Sequence, residues 1–356
     1  MTSSPALPTD DPARRCKTPR VRFAGVVGGT GFPVLLRHGY PQCHVAWHRV
    51  ASGLADHFTV VAADLPGYGK SRVHDAGPWH KRAAADELVA MMRSLGHERF
   101  AVVGHDRGAR VGLRLALDHP KHVTAYCSLS VVPILDVWPA VDQHFAKRVF
   151  HWFMLAQPGE VVERLLAANP DAFLEGTLDQ MSGEIGRLDP IAVTAYREAF
   201  RDTSVRRAII EDYRAAFDTD VDHEAADRAA GRKLVCPIMV MWPTDRLIAS
   251  GMESGTLTAA DVWRRWGDDV RDLDVACGHL NRNLSLTLAI SGHALIQKCG
   301  SEAMCSRAAS RGMVAMPNGP DAPQRWPFHQ STWTLSASPV GLSLASGAPV
   351  HSLVSV

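Results

Sequence analysis

Phe100-Ala101-Val102-Val103-Gly104-His105-Asp106-Arg107-Gly108-Ala109-Arg110-Val111-Gly112-Leu113-Arg114-Leu115-Ala116-Leu117 is the stretch that decides how this chain is read. It opens as an apolar strand and closes as a helix. Between them stands an aspartate with a glycine two places before it and another two places after. Only small neighbours let a strand and the helix that follows it approach so closely, and the residue at the bend is held in a strained conformation. A carboxylate presented there can attack carbon in line, expel a leaving group and become an aspartyl ester.

The same punctuation repeats on both sides. Pro33-Val34-Leu35-Leu36 reads as a strand ending at His38-Gly39-Tyr40-Pro41, and Phe58 to Ala63 as a strand ending at Asp64-Leu65-Pro66-Gly67. Leu88, Met91, Met92 and Leu95 recur at spacings of three and four, which predicts a helix over Ala83 to Leu95. Val123 to Val132 reads as a further buried strand. Strands alternating with helices imply a parallel sheet covered on both faces, with function at the carboxyl ends of its strands. Residues 134–230 break the alternation. Phe145, Val149, Trp152 and Leu155 repeat at helical spacing, as do Ile209, Tyr213 and Phe217 behind the capping candidates Thr203 and Ser204. The core resumes with Pro237 to Trp242 and Val270 to Ala276, ending at Cys277-Gly278-His279.

The ends differ in character. Residues 1–22 read as a flexible tail, not a signal peptide, because no apolar h-region follows Met1. Residues 281–356 carry seven charges and the final 31 none, with no sustained helical period. That segment is expected to be disordered, or to derive from a frame change that replaced a native helix. The organisation expected is thus a core of 23–133 and 231–280, a helical insertion at 134–230, and two atypical ends.

A formal charge of +1 gives no general field for nucleic acid or an anionic membrane, and no run is apolar and long enough to span a bilayer. Seven scattered cysteines, an odd number without a close pair, fit a reducing cytoplasm better than secretion.

Arg107 and Arg110 flank Asp106, one adjacent and one a helical turn on. Two guanidiniums favour the ionised carboxylate and offer forked donors for a carboxylate on the substrate. A small anionic molecule is therefore the expected partner. His279, after the last core strand, is placed to take a proton from the water that opens the ester. The main-chain N–H groups of Tyr40 and Arg107 are placed for the oxyanion of that step.

With these residues in hand, the chain from about 24 to 280 resembles the haloacetate (fluoroacetate) dehalogenases, which are Asp-nucleophile α/β-hydrolases. The resemblance runs through His38-Gly39-Tyr40-Pro41-Gln42, Val60 to Ser71, Gly104 to Arg110, His151-Trp152-Phe153, Glu211-Asp212-Tyr213-Arg214 and Cys277-Gly278-His279. It implies the α/β-hydrolase fold: a mostly parallel sheet, helices on both faces and a helical lid insertion. It implies halide release from a small 2-haloacid without cofactor or metal, and a homodimer. It also implies that His151, Trp152 and Tyr213 donate hydrogen bonds to the departing halide. Where the family has the aspartate that orients the histidine, this chain has Ser130. Asp245, after the next core strand, is the expected substitute, with Asp136 a weaker candidate. Epoxide or ester hydrolysis on the same scaffold stays open, as does an impaired homologue that only binds a small carboxylate.

Overall fold

The structure is a computed structural model and describes residues 16–74, 79–243, 258–275 and 331–332. Ten strands form one sheet: β1 (Cys16–Lys17), β2 (Val21–Gly28), β3 (Phe32–Arg37), β4 (Phe58–Ala63), β5 (Arg72–Val73), β6 (Phe100–His105), β7 (Val123–Leu129), β8 (Ile238–Pro243), β9 (Val270–Val275) and β10 (Ser331–Thr332). The order along the main path is β1-β2-β4-β3-β6-β7-β8-β9. From β4 to β9 every neighbouring pair is parallel, whereas β2 runs antiparallel to β1 and β4.

Strand chemistry explains the layering. Along β3, Leu35 faces one apolar cluster while Val34 and Leu36 face the other, the two-residue alternation of a sheet buried on both sides. One cluster lies beneath α1 (His48–Ala55), through Val50, Ala51 and Leu54. The other lies beneath α2 (Lys81–Ser94) and α3 (Arg107–Asp118), through Leu88, Met92, Leu113 and Leu117. The helix expected over Ala83 to Leu95 thus starts two residues earlier, with His80 as its cap.

Eight helices stand between β7 and β8. They are α4 (Ile134–Val137), α5 (Gln143–Arg148), α6 (Phe150–Leu155), α7 (Val161–Ala168), α8 (Pro170–Ser182), α9 (Pro190–Arg201), α10 (Thr203–Phe217) and α11 (Thr219–Ala229). The cap of α10 is Asp202, whose carboxylate accepts the Ser204 N–H at 2.8 Å, rather than Thr203 or Ser204. A further helix, α12 (Ala259–Arg264), precedes β9. No described helix is long and apolar enough to cross a membrane.

The chain leaves β3 toward β4 on one side and returns to β6 on the other. The loops after β3 and β6 therefore diverge at their carboxyl ends, where open α/β sheets hold their ligands. Those two loops begin with His38-Gly39-Tyr40 and with Asp106.

Candidate active site

Asp106 stands between β6 and α3 with φ 51° and ψ −118°. Few residues other than glycine accept such a φ, so the surrounding structure must hold it there. Packing at the bend is close: a Cβ on Gly104 would lie 2.5 Å from the Ala109 Cα, and one on Gly108 would lie 2.4 Å from the His38 carbonyl oxygen. Both glycines are thus required by space, as the sequence pattern implied. The Asp106 side chain is buried, and its Oδ1 accepts the Tyr40 N–H at 2.9 Å. That amide is one of the two expected oxyanion donors.

The two arginines behave differently. Arg107 sends Nε to Asp212 Oδ2 at 2.6 Å and Nη2 to the Asp212 carbonyl oxygen. Its guanidinium lies 4.1 Å from the centre of the Tyr213 ring. The fork expected to face a ligand is therefore engaged by α10, and Nη1 remains, buried without a hydrogen-bond partner among the described residues. Arg110 lies over Trp152 at 5.2 Å, and its Nε and Nη1 are likewise buried and unpartnered among the described residues. Burial and the neighbouring Arg107 charge both push the Arg110 pKa down. For Arg107, burial pulls downward but the Asp212 carboxylate outweighs it and the pKa is raised. Three donor nitrogens on two buried guanidiniums beside a carboxylate thus form an incomplete hydrogen-bond set among the described residues. An oxyanion would complete it.

Around them close Tyr40, His151 and Tyr213. Tyr40 stacks on His151 (5.4 Å, 14°) and meets Tyr213 edge-on at 5.2 Å. Trp152 packs edge-on against Trp138 and Phe145. The structure thus gathers Tyr40, Asp106, Arg107, Arg110, His151, Trp152 and Tyr213 from four separate parts of the chain. Asp245 and His279 lie outside the described residues.

Asp136, the weaker acid candidate, is engaged by other residues. Its two oxygens accept from Arg228, Arg265 and Trp266, at 2.5 to 2.9 Å. Ser130 follows β7 with φ 64°, so the strand expected to run to Val132 ends at Leu129.

Sequence reading missed two residues. Asp212 holds Arg107 and also accepts from Tyr68 at 2.9 Å and from Lys81. Burial would raise its pKa, but Arg107 and Lys81 hold the carboxyl well below the usual range. Glu224 on α11 faces Arg110 electrostatically and accepts the Leu135 N–H at 2.9 Å. Asp212 adjoins Tyr213 in a quoted motif, but nothing in sequence pairs it with a residue 105 positions away.

Burial raises Glu224 from its ordinary 4.5 to about 7, against the opposing pull of Leu135 N–H and Arg110. The folded state therefore holds this proton more tightly than the unfolded chain. Its stabilising contribution is complete below pH 4.5 and is lost as pH rises through about 7. A shift of this size corresponds to roughly 3 kcal/mol. Glu224→Gln is expected to remove that decline, which urea unfolding at pH 4.5 and pH 8 measures; an unchanged decline in the variant refutes the assignment.

Residues 33–272 match the alpha/beta hydrolase fold family, and the chain belongs to it. It is 41% identical over 221 residues to a fluoroacetate dehalogenase from Burkholderia sp, a span covering 60% of this chain and 72% of that protein. That likeness sets it among the haloacetate dehalogenases of the family. A solved variant of a candidate epoxide hydrolase from Pseudomonas aeruginosa, with bound MFA, is 44% identical with a TM-score of 0.77, covering 83% of this chain and 99% of that one. A soluble epoxide hydrolase from Corynebacterium sp. is 36% identical over 112 residues, 32% of this chain and 39% of that protein.

Proposed function

We propose that the protein is a hydrolytic dehalogenase of small 2-haloacids such as fluoroacetate. One Asp106 carboxylate oxygen attacks the carbon that bears the halogen. The carbon–halogen bond breaks, halide departs with the bonding pair, and an ester joins Asp106 to the acid. His279, oriented by Asp245, takes a proton from water, and the resulting hydroxide adds to the ester carbonyl carbon. The oxyanion so formed develops on the oxygen that faces the Tyr40 N–H. Collapse breaks the acyl–oxygen bond, the departing oxygen takes the proton from the His279 imidazolium to free the 2-hydroxy acid, and the new carboxyl loses its proton to solvent, which restores the Asp106 carboxylate.

Arg107 Nη1 with Arg110 Nε and Nη1 take the substrate carboxylate, and His151, Trp152 and Tyr213 donate to the halide. Fluoride needs such directed donors because it leaves poorly unaided. The helices of 134–230 act as the lid that carries these donors.

The observation that carries this reading is the set of buried guanidinium N–H groups beside Asp106 that have no partner among the described residues. An epoxide brings no anion to meet them. The epoxide-hydrolase relatives make that reaction the comparison to run. Halide release from fluoroacetate and chloroacetate is measured beside diol formation from small neutral epoxides. Halide release at least tenfold faster supports the proposal; diol formation without halide release overturns it.

A further inference from the structure

Away from Asp106, a second cluster joins the start of α2 to α11. Asp220 and His223 are three residues apart on α11, so they share one face of that helix. His80 comes from the residue that caps α2. One ligand-type atom from each of His80, Asp220 and His223 lies within 4.8 Å of the other two. The His80 and His223 rings meet edge-on with centres 5.2 Å apart. His223 Nδ1 and Asp220 Oδ2 are buried and have no hydrogen-bond partner among the described residues, though Oδ2 lies 3.3 Å from the Lys81 ammonium. Two imidazoles and one carboxylate form a mixed nitrogen and oxygen set, the donor set that borderline divalent ions favour.

We propose that His80, Asp220 and His223 form a binding site for a divalent transition-metal ion of the zinc type, which clips α11 to the start of α2. The site is separate from the haloacid reading and stands or falls without it.

Three local features oppose a dication, and each has an outlet. Lys81 also contacts Asp212, so it keeps a counter-ion when Asp220 turns to the metal. The Arg82 charge is held by Asp118, Nε to Oδ2 at 2.9 Å. His80 Nδ1 accepts the Ala83 N–H at 3.2 Å, and a neutral imidazole has a single lone pair. Coordination through either ring nitrogen therefore gives up that long cap bond, a small loss beside several metal–ligand bonds. The other metal-ligand cluster, Cys43, His44 and Asp64, is less suited. Its Asp64 oxygens already accept from the His44 N–H, the His44 ring and the Lys70 N–H at 2.7 to 2.8 Å.

The test uses the full chain freed of metal by a chelator and titrated calorimetrically with Zn²⁺ alone, then with Co²⁺ alone. Expected is a site that His80→Ala and His223→Ala each weaken at least about tenfold, while His144→Ala, on the exposed face of α5, leaves it intact. Bound Co²⁺ should show weak visible bands without intense near-ultraviolet thiolate absorption, which separates this site from any of the seven cysteines. Zn²⁺ should raise the melting temperature of the wild type and not that of the double variant. Affinity unchanged in both histidine variants, a thiolate spectrum, or no binding at all overturns the proposal. Melting of each variant without metal checks that a lost site is not a lost fold.

Discussion

Asp106→Asn is expected to abolish halide release, with kcat/KM falling at least about ten-thousand-fold, the scale on which nucleophile deletions act. The substitution keeps size and shape, and asparagine accepts a positive φ as readily as aspartate, so the turn at φ 51° survives. The Tyr40 N–H keeps an oxygen acceptor. What disappears is the negative charge and the oxygen lone pair that forms the ester. Single turnover with chloroacetate, followed by mass spectrometry of the intact chain, makes the point directly: the wild type passes through an adduct at residue 106, and the variant forms none. If the serine at 130 leaves His279 poorly oriented, the wild-type adduct accumulates after one burst of halide, because the first displacement does not need the histidine. A variant that releases halide within tenfold of the wild-type rate sinks the assignment of Asp106.

The second large effect belongs to Arg110→Leu. Its Nε and Nη1 are buried and open to a ligand, and its neighbour Arg107 carries the same charge. Truncating one partner of a buried charge pair typically costs about 2–5 kcal/mol of binding, so kcat/KM for haloacetate should fall roughly 30- to 5,000-fold, chiefly through KM. The ligand-free protein should not suffer in proportion, because burial of Arg110 and the neighbouring Arg107 charge, which together push its pKa down, outweigh its attraction to Glu224 and Asp106. The diagnostic pattern is therefore a variant that melts no earlier than the wild type yet binds the substrate far more weakly. Acetate should raise the melting temperature of the wild type and leave that of the variant unchanged. An unaltered KM would remove Arg110 from the carboxylate site.

What sequence alone discloses follows the range of the interaction. Strands β3, β4 and β6 were legible because burial on both faces demands continuous apolar runs, and such a demand is local. The elbow was legible because its two glycines answer to atoms a few residues away, or to the neighbouring loop at His38. Asp106, Arg107 and Arg110 came with it, being on one turn of chain. His151, Trp152 and Tyr213 followed from family likeness, since an apolar helix face explains the same residues equally well. The charge pairs were beyond reach. Asp212 meets Arg107 and Lys81, and Asp136 meets Arg228 and Arg265, only because elements far apart in the chain pack together in the fold. Opposite charges scattered over a hundred residues allow many pairings, and spacing favours none of them. Ser130 shows the converse: its φ of 64° breaks a strand that composition would have carried on to Val132.

Arg107 opens α3, directly after the elbow, yet two of its three nitrogens answer to α10. Its aim is therefore inherited from a different part of the gene. Chimeras that trade the segment between β7 and β8 among related enzymes would re-point this side chain without altering a single codon of the elbow. Evolution could then retune acid preference by shuffling one cassette while the reaction centre stays fixed.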